Sequence, residues 1–163
     1  QGDNTVCVEV EVGHDWDGVV DPLYVMGNFG VTFNEQNIPV IDSPPKRSLL
    51  HAGPYKGYPF YAGTMSFRKT FRLSSVPEEK LFVLSFSDWD DTCHDCAEVL
   101  VNGQSLGVRA WTPYRWQGET NILVAGDNFL EVKVTNTLIG MLEGKYFDYE
   151  THTLQDCIFK ERS

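Results

Sequence analysis

Two stretches of this chain set a tryptophan among side chains that bond strongly to hydroxyl groups. One reads Asp88-Trp89-Asp90-Asp91, with His94 just beyond. The other is Trp111, followed by Tyr114, Arg115 and Trp116. An aromatic ring offers a flat apolar face, while carboxylate, guanidinium and imidazole groups supply acceptors and donors. That mixture suits a ligand with an apolar C–H face and a rim of hydroxyls, which is the chemistry of a sugar. The candidate binding residues are therefore Asp88, Trp89, Asp90, Asp91, His94, Trp111 and Arg115. Trp89 lies on a loop between two strands, where it has two roles open to it, ligand contact or capping the core. Period-2 alternation through the second stretch turns Tyr114 and Trp116 inward and Arg115 outward, and Trp111 precedes that strand.

The acidic loop admits a second chemistry. Asp88, Asp90, Asp91 and Asp95 supply hard oxygen donors of the kind Ca²⁺ takes, six to eight at a time. No Asp-x-Asp-x-Asp-Gly loop is present, so the alternative is a solvated acidic loop, and no other cofactor is expected. Carboxylates neighbour one another at Asp15 and Asp17, Glu78 and Glu79, and Asp90 and Asp91. Adjacency in sequence does not set the roughly 5–9 Å separation of a glycosidase pair. There is no Gly-x-Ser-x-Gly elbow and no phosphate-binding glycine loop. The four cysteines are Cys7, Cys93, Cys96 and Cys157. Cys93-His-Asp-Cys96 has redox spacing but precedes a strand, without the helix start that lowers a thiol pKa. It reads as a loop with free thiols or a local disulfide, and Cys7 and Cys157 sit near opposite ends.

Composition bounds the partners. The chain has 163 residues, 42% hydrophobic and 13% aromatic, so it can bury a core. Its net charge of −10 repels the phosphates of nucleic acid and of anionic membranes, leaving neutral ligands or cations as partners. No stretch has the ~20 apolar residues of a membrane span. The chain opens Gln1-Gly2-Asp3, without a signal peptide, and reads as a piece of something longer.

The elements that must position these residues are strands. The surest are in 98–136: a strand, the Asn102-Gly103 turn and a second strand, then a strand opened by Gly126-Asp127-Asn128. Asn-Gly between alternating apolar residues is a strong hairpin signal, because both turn residues must accept positive φ. Residues 4–12 alternate cleanly, with Val6, Val8, Val10 and Val12 opposed to Cys7, Glu9 and Glu11, and predict a half-buried strand. Their opening, Gly2-Asp3-Asn4, repeats Gly126-Asp127-Asn128. Residues 23–33 predict one or two short strands, 61–73 a long strand and 81–87 an apolar one. Residues 36–61 carry five of the eight prolines and read as a long connection, with Tyr55, Tyr58, Phe60 and Tyr61 either plugging the core or lining a surface. Residues 136–149 read as a loop and 154–159 as a closing strand. Many short strands without a helical period predict an all-β sandwich or jelly roll, one domain over 1–163, with a strand and long loop region over 1–60 and the sandwich core over 61–163.

The order of these signals resembles a family. Phe67-Arg-Lys-Thr-Phe71, Val99-Leu-Val-Asn-Gly-Gln-Ser-Leu-Gly107, Thr112-Pro-Tyr-Arg-Trp116 and Gly126-Asp-Asn-Phe-Leu-Glu-Val-Lys-Val134 together look like the galactose-binding-like jelly roll. That domain accompanies family 2 and rhamnosidase-type glycoside hydrolases. Gln117-Gly-Glu-Thr120 stands where such domains usually carry an Asp-Ile-Thr-like segment. The resemblance implies a non-catalytic carbohydrate-binding module beside a catalytic domain in the same chain, as the C-terminal part of a longer protein. The alternative it implies is a structural domain that braces the catalytic neighbour and binds no sugar.

Overall fold

The computed structural model describes residues 4–15, 17–19, 23–46, 57–86, 89, 95–136, 145–148, 151 and 153–156. Its strands in chain order are β1 (Gly30–Phe33), β2 (Pro39–Asp42), β3 (Thr64–Leu73), β4 (Leu81–Ser85), β5 (Cys96–Val101), β6 (Gln104–Arg109), β7 (Arg115–Glu119), β8 (Gly126–Thr135), β9 (Lys145–Asp148) and β10 (Thr153–Asp156). Every pairing among them is antiparallel, and no α-helix occurs among the described residues.

The main sheet has the order β3-β8-β5-β6, and β4 pairs with β7 in a second sheet. The two pack face to face as a sandwich. From the main sheet come Ala97, Val99, Val132 and Val134, and from β7 and its approach come Tyr114 and Trp116. Met65, Phe67, Leu84, Leu106 and Leu130 close around them. β5 turns alternate residues to this core: Ala97, Val99 and Val101 are buried and their neighbours less so. The space at Gly118 is tight, for a Cβ there would lie 2.6 Å from the ring of Phe82, its partner in the same sheet, and 2.8 Å from Leu106 of the facing sheet.

The hairpin forms where expected. Asn102 (φ 51°) and Gly103 (φ 82°) make the two-residue turn, and Val101 pairs with Gln104. Asn102 Nδ2 donates to Ile122 O at 2.7 Å and to Asn128 Oδ1 at 2.8 Å, while its Oδ1 accepts from Phe129 N at 2.8 Å. Asn128 is fully buried. Its Oδ1 also accepts from Val124 N, and its Nδ2 donates to Val124 O and Gly126 O. The two motifs of the sequence are thus one polar knot, joining the hairpin turn to the entry of β8.

The outer face of the main sheet is a charged ladder. Arg68 on β3 meets Glu131 on β8 at 2.9 Å. Lys133 meets Glu98 on β5 at 3.2 Å, and Ser105 on β6 donates to Glu98 at 2.7 Å. The Ser105 hydroxyl first, then Lys133, holds the Glu98 carboxyl below its ordinary value. A carboxylate lowered in the folded state stabilises above its unfolded pKa, and that contribution disappears as pH falls through the folded value. Glu98→Gln is therefore expected to flatten the acid limb of a stability–pH profile, with a small effect because the pair is part-exposed. Urea midpoints between pH 7 and 3 measure it, and an unchanged slope contradicts it.

Other expectations were met unevenly. Residues 4–12 are exposed, and no described strand pairs with them. Alternation supplied two faces, but no strand stands beside them among the described residues. β2 forms inside the proline-rich connection, its edge position tolerating Pro39. β9 forms inside a stretch expected to be loop, and pairs with β10. Tyr58 and Tyr61 pack against the core, Phe60 lies 6.2 Å from Phe33 of β1, and Tyr55 lies outside the described residues. Cys7 and Cys96 are free thiols, and Cys93 and Cys157 lie outside the described residues.

Candidate functional site

The register brings both candidate stretches to one end of the sandwich. Ser85, at the end of β4, pairs with Arg115 at the start of β7. Ala97, near the start of β5, pairs with Arg109 at the end of β6. The β4–β5 and β6–β7 connections therefore leave side by side. They are tied together: Phe86 N donates to Tyr114 O at 3.1 Å, and the Tyr114 hydroxyl donates to Asp95 O at 2.7 Å.

Aromatic rings fill the base of this end. Phe86 and Trp89 stack with centroids 4.8 Å apart at 25°, and Trp89 meets Tyr114 edge-on at 5.4 Å. Phe86 meets Trp116 edge-on at 5.7 Å. Such offset and T-shaped contacts satisfy the ring quadrupoles and add to the area buried. Tyr114 and Trp116 face inward and Arg115 outward, as alternation requires. Trp89 is only 7% exposed and packs against Phe86 and Tyr114. Its ring presents no broad face to solvent.

Trp111 is the contrast, 76% exposed. It stands on the short turn between β6 and β7, which a side chain braces: Arg109 Nε donates to Arg115 O at 3.0 Å and Nη1 to Val108 O at 3.1 Å. An exposed indole thus stands on a braced turn whose two ends carry arginines. Asp88, Asp90, Asp91 and His94 lie outside the described residues, and with them the Ca²⁺ expectation. Among the described residues no three His, Cys, Asp or Glu gather where they could hold a metal.

Two features escaped the reading of the sequence. Arg109 braces the turn, and only the register reveals that it reaches Arg115. At the other end, Arg68, Thr70, Gly103, Phe129 and Glu131 line a shallow open hollow of about 400 Å³. Here a signal existed. Leu130, Val132 and Val134 take the inner face of β8, which forces Phe129 onto the polar outer face, where it is 64% exposed.

No protein-family model and no curated protein matches the sequence. Among solved structures, the chain is similar to a beta-glucuronidase of Bifidobacterium dentium complexed with coumarin-3-O-glucuronide, at 26% identity over 48% of this chain and a TM-score of 0.39. It is also similar to a rhamnosidase from Novosphingobium sp. PP1Y, at 21% identity over 73% of this chain and a TM-score of 0.42. A third likeness is to a beta-D-glucuronidase of Dictyoglomus thermophilum, at 18% identity over 68% of this chain and a TM-score of 0.39. The matches span 12%, 11% and 18% of those proteins. At these scores the likenesses assign neither a family nor an activity, and the chain is described by its architecture, an all-β sandwich of antiparallel sheets.

Proposed function

We propose that this domain is a non-catalytic carbohydrate-binding module, accessory to a glycoside hydrolase catalytic domain in the same protein. The observation that carries the reading is Trp111, a large exposed indole on a braced turn between Arg109 and Arg115. Exposing a tryptophan to this extent leaves a broad apolar face in water, which a sugar's C–H face would cover while the guanidiniums donate to its hydroxyls. The β4–β5 loop leaves from the same end and carries Asp88, Asp90, Asp91 and His94, which would supply further hydroxyl partners. Trp89 serves this site from beneath, anchoring that loop to the core. A net charge of −10 fits a neutral glycan better than a phosphate polymer.

Titration against a panel of plant and bacterial polysaccharides tests the reading. At least one glycan is expected to bind, and Trp111→Ala is expected to weaken that binding by at least tenfold, since one stacked aromatic is worth more than about 1 kcal/mol. The melting temperature should stay unchanged, because the side chain packs on little. Binding that survives the substitution moves the site elsewhere. No binding to any glycan leaves the bracing role.

A further inference from the structure

We infer that residues 5–12 form an added β-strand on the edge of β3 that no described strand takes, in a second copy of this chain, so that two copies exchange strands reciprocally. The first observation is the segment itself. Val6, Val8, Val10 and Val12 alternate with Cys7, Glu9 and Glu11, and the four valines are 43–73% exposed. Among the described residues no strand pairs with it. An alternating apolar row in water lacks the sheet that its pattern fits.

The second observation is β3. Ten residues long, it pairs with β8 on one side, and no described strand takes the other. Open edges invite strand addition. On its core-side face Met65, Phe67, Phe71 and Leu73 remain only half-buried, and Lys69 is exposed. On its outer face Arg68 and Arg72 are 77% and 80% exposed, and Arg72 reaches Asp127 only at 3.9 Å.

The two are complementary in pattern and charge. In an antiparallel register with Glu11 opposite Arg68, Val12 falls opposite Phe67, Val8 opposite Phe71 and Val6 opposite Leu73, all on the core side, while Val10 falls opposite the exposed Lys69, whose aliphatic stem it would cover. Glu9 falls opposite Thr70, between the two arginines. Residues directly opposite lie ~5 Å apart and diagonal ones ~7–8 Å, within reach of glutamate and arginine. Within one chain the segment stays off this edge. Donor and acceptor on the same chain meet the condition for an isologous two-fold exchange, in which each copy gives one strand and receives one.

Sedimentation equilibrium of the whole chain tests this by charge reversal. The wild type is expected to be a concentration-dependent dimer. Glu9→Lys with Glu11→Lys, and separately Arg68→Glu with Arg72→Glu, are each expected to weaken the dimer at least tenfold. Mixed together, the two variants are expected to dimerise again, because both exchanged ladders then pair opposite charges. Should the β3 variant not fold, Cys7→Pro and Val8→Pro carry the test. Adjacent N–H groups point to opposite sides, so one of the two must break the ladder. A wild type that stays monomeric at all concentrations overturns the inference, including one in which the segment docks on its own β3. So do variants that dimerise like the wild type, or a mixture that does not recombine.

Discussion

Replacing Asn128 with alanine lowers the unfolding free energy by about 3 kcal/mol or more. The residue is fully buried, and its amide is saturated, Oδ1 accepting from Asn102 Nδ2 and Val124 N, and Nδ2 donating to Val124 O and Gly126 O. Alanine removes all four bonds at once, opens a gap where the fully buried side chain stood, and takes from Val124 N, Val124 O and Gly126 O the partners that shape the turn into β8. A buried group stripped of its partner costs roughly 1–3 kcal/mol, which is why the sum exceeds the net worth of any one bond. Asn128→Asp is expected to be at least as damaging. It keeps the acceptor but points a second oxygen at Val124 O and Gly126 O, and buries a charge. Urea unfolding of the two variants measures this. A loss below ~1 kcal/mol in either shows that the knot is not what joins the hairpin to β8.

Trp116→Ala is the second large effect, with an expected loss of about 3–5 kcal/mol. The indole is fully buried between the sheets, edge-on to Phe86, and its N–H donates to Gly107 O at 2.9 Å. Alanine therefore opens a cavity in the core and orphans a carbonyl at the same time. Set against the 5–15 kcal/mol typical of a domain, this takes the protein close to unfolding. Trp116→Phe separates the two causes. It retains much of the ring and loses the N–H, and about 1–2 kcal/mol is expected. Equal losses in the two variants would mean that the hydrogen bond dominates the packing, the reverse of the ordering argued here.

Much of the framework was legible because it is locally determined. Asn102-Gly103 announced a turn with two positive φ values, and no other residue pair adopts that turn as readily. Alternation placed Tyr114 and Trp116 inside and Arg115 outside before any neighbour was known. What the sequence could not carry is the identity of partners. Residues 4–12 have a strand's pattern, yet a strand exists only where an edge accepts it. β9 and β10 have weak patterns, yet they pair because each lies beside the other.

The candidate site shows the same division. Flanking aspartates give Trp89 the look of a binding residue, but its burial is set by Phe86 and Tyr114, one close in sequence and one on another strand. Trp111 has no such partners and stays in solvent. That the two stretches share one end of the sandwich follows from two registers, Ser85 with Arg115 and Ala97 with Arg109. Neither could be read from spacing alone.

Indole N–H resonances give the most direct test of the binding reading. In a ¹H–¹⁵N spectrum of the ¹⁵N-labelled domain, each tryptophan indole reports separately, and assignment by substitution identifies Trp111 and Trp116. Addition of the glycan that binds in the panel is predicted to shift the exposed Trp111 indole progressively to saturation. The Trp116 indole, buried and bonded to Gly107 O, is predicted to stay in place. A Trp111 resonance that does not move while glycan is bound, or one that no glycan moves, contradicts the account.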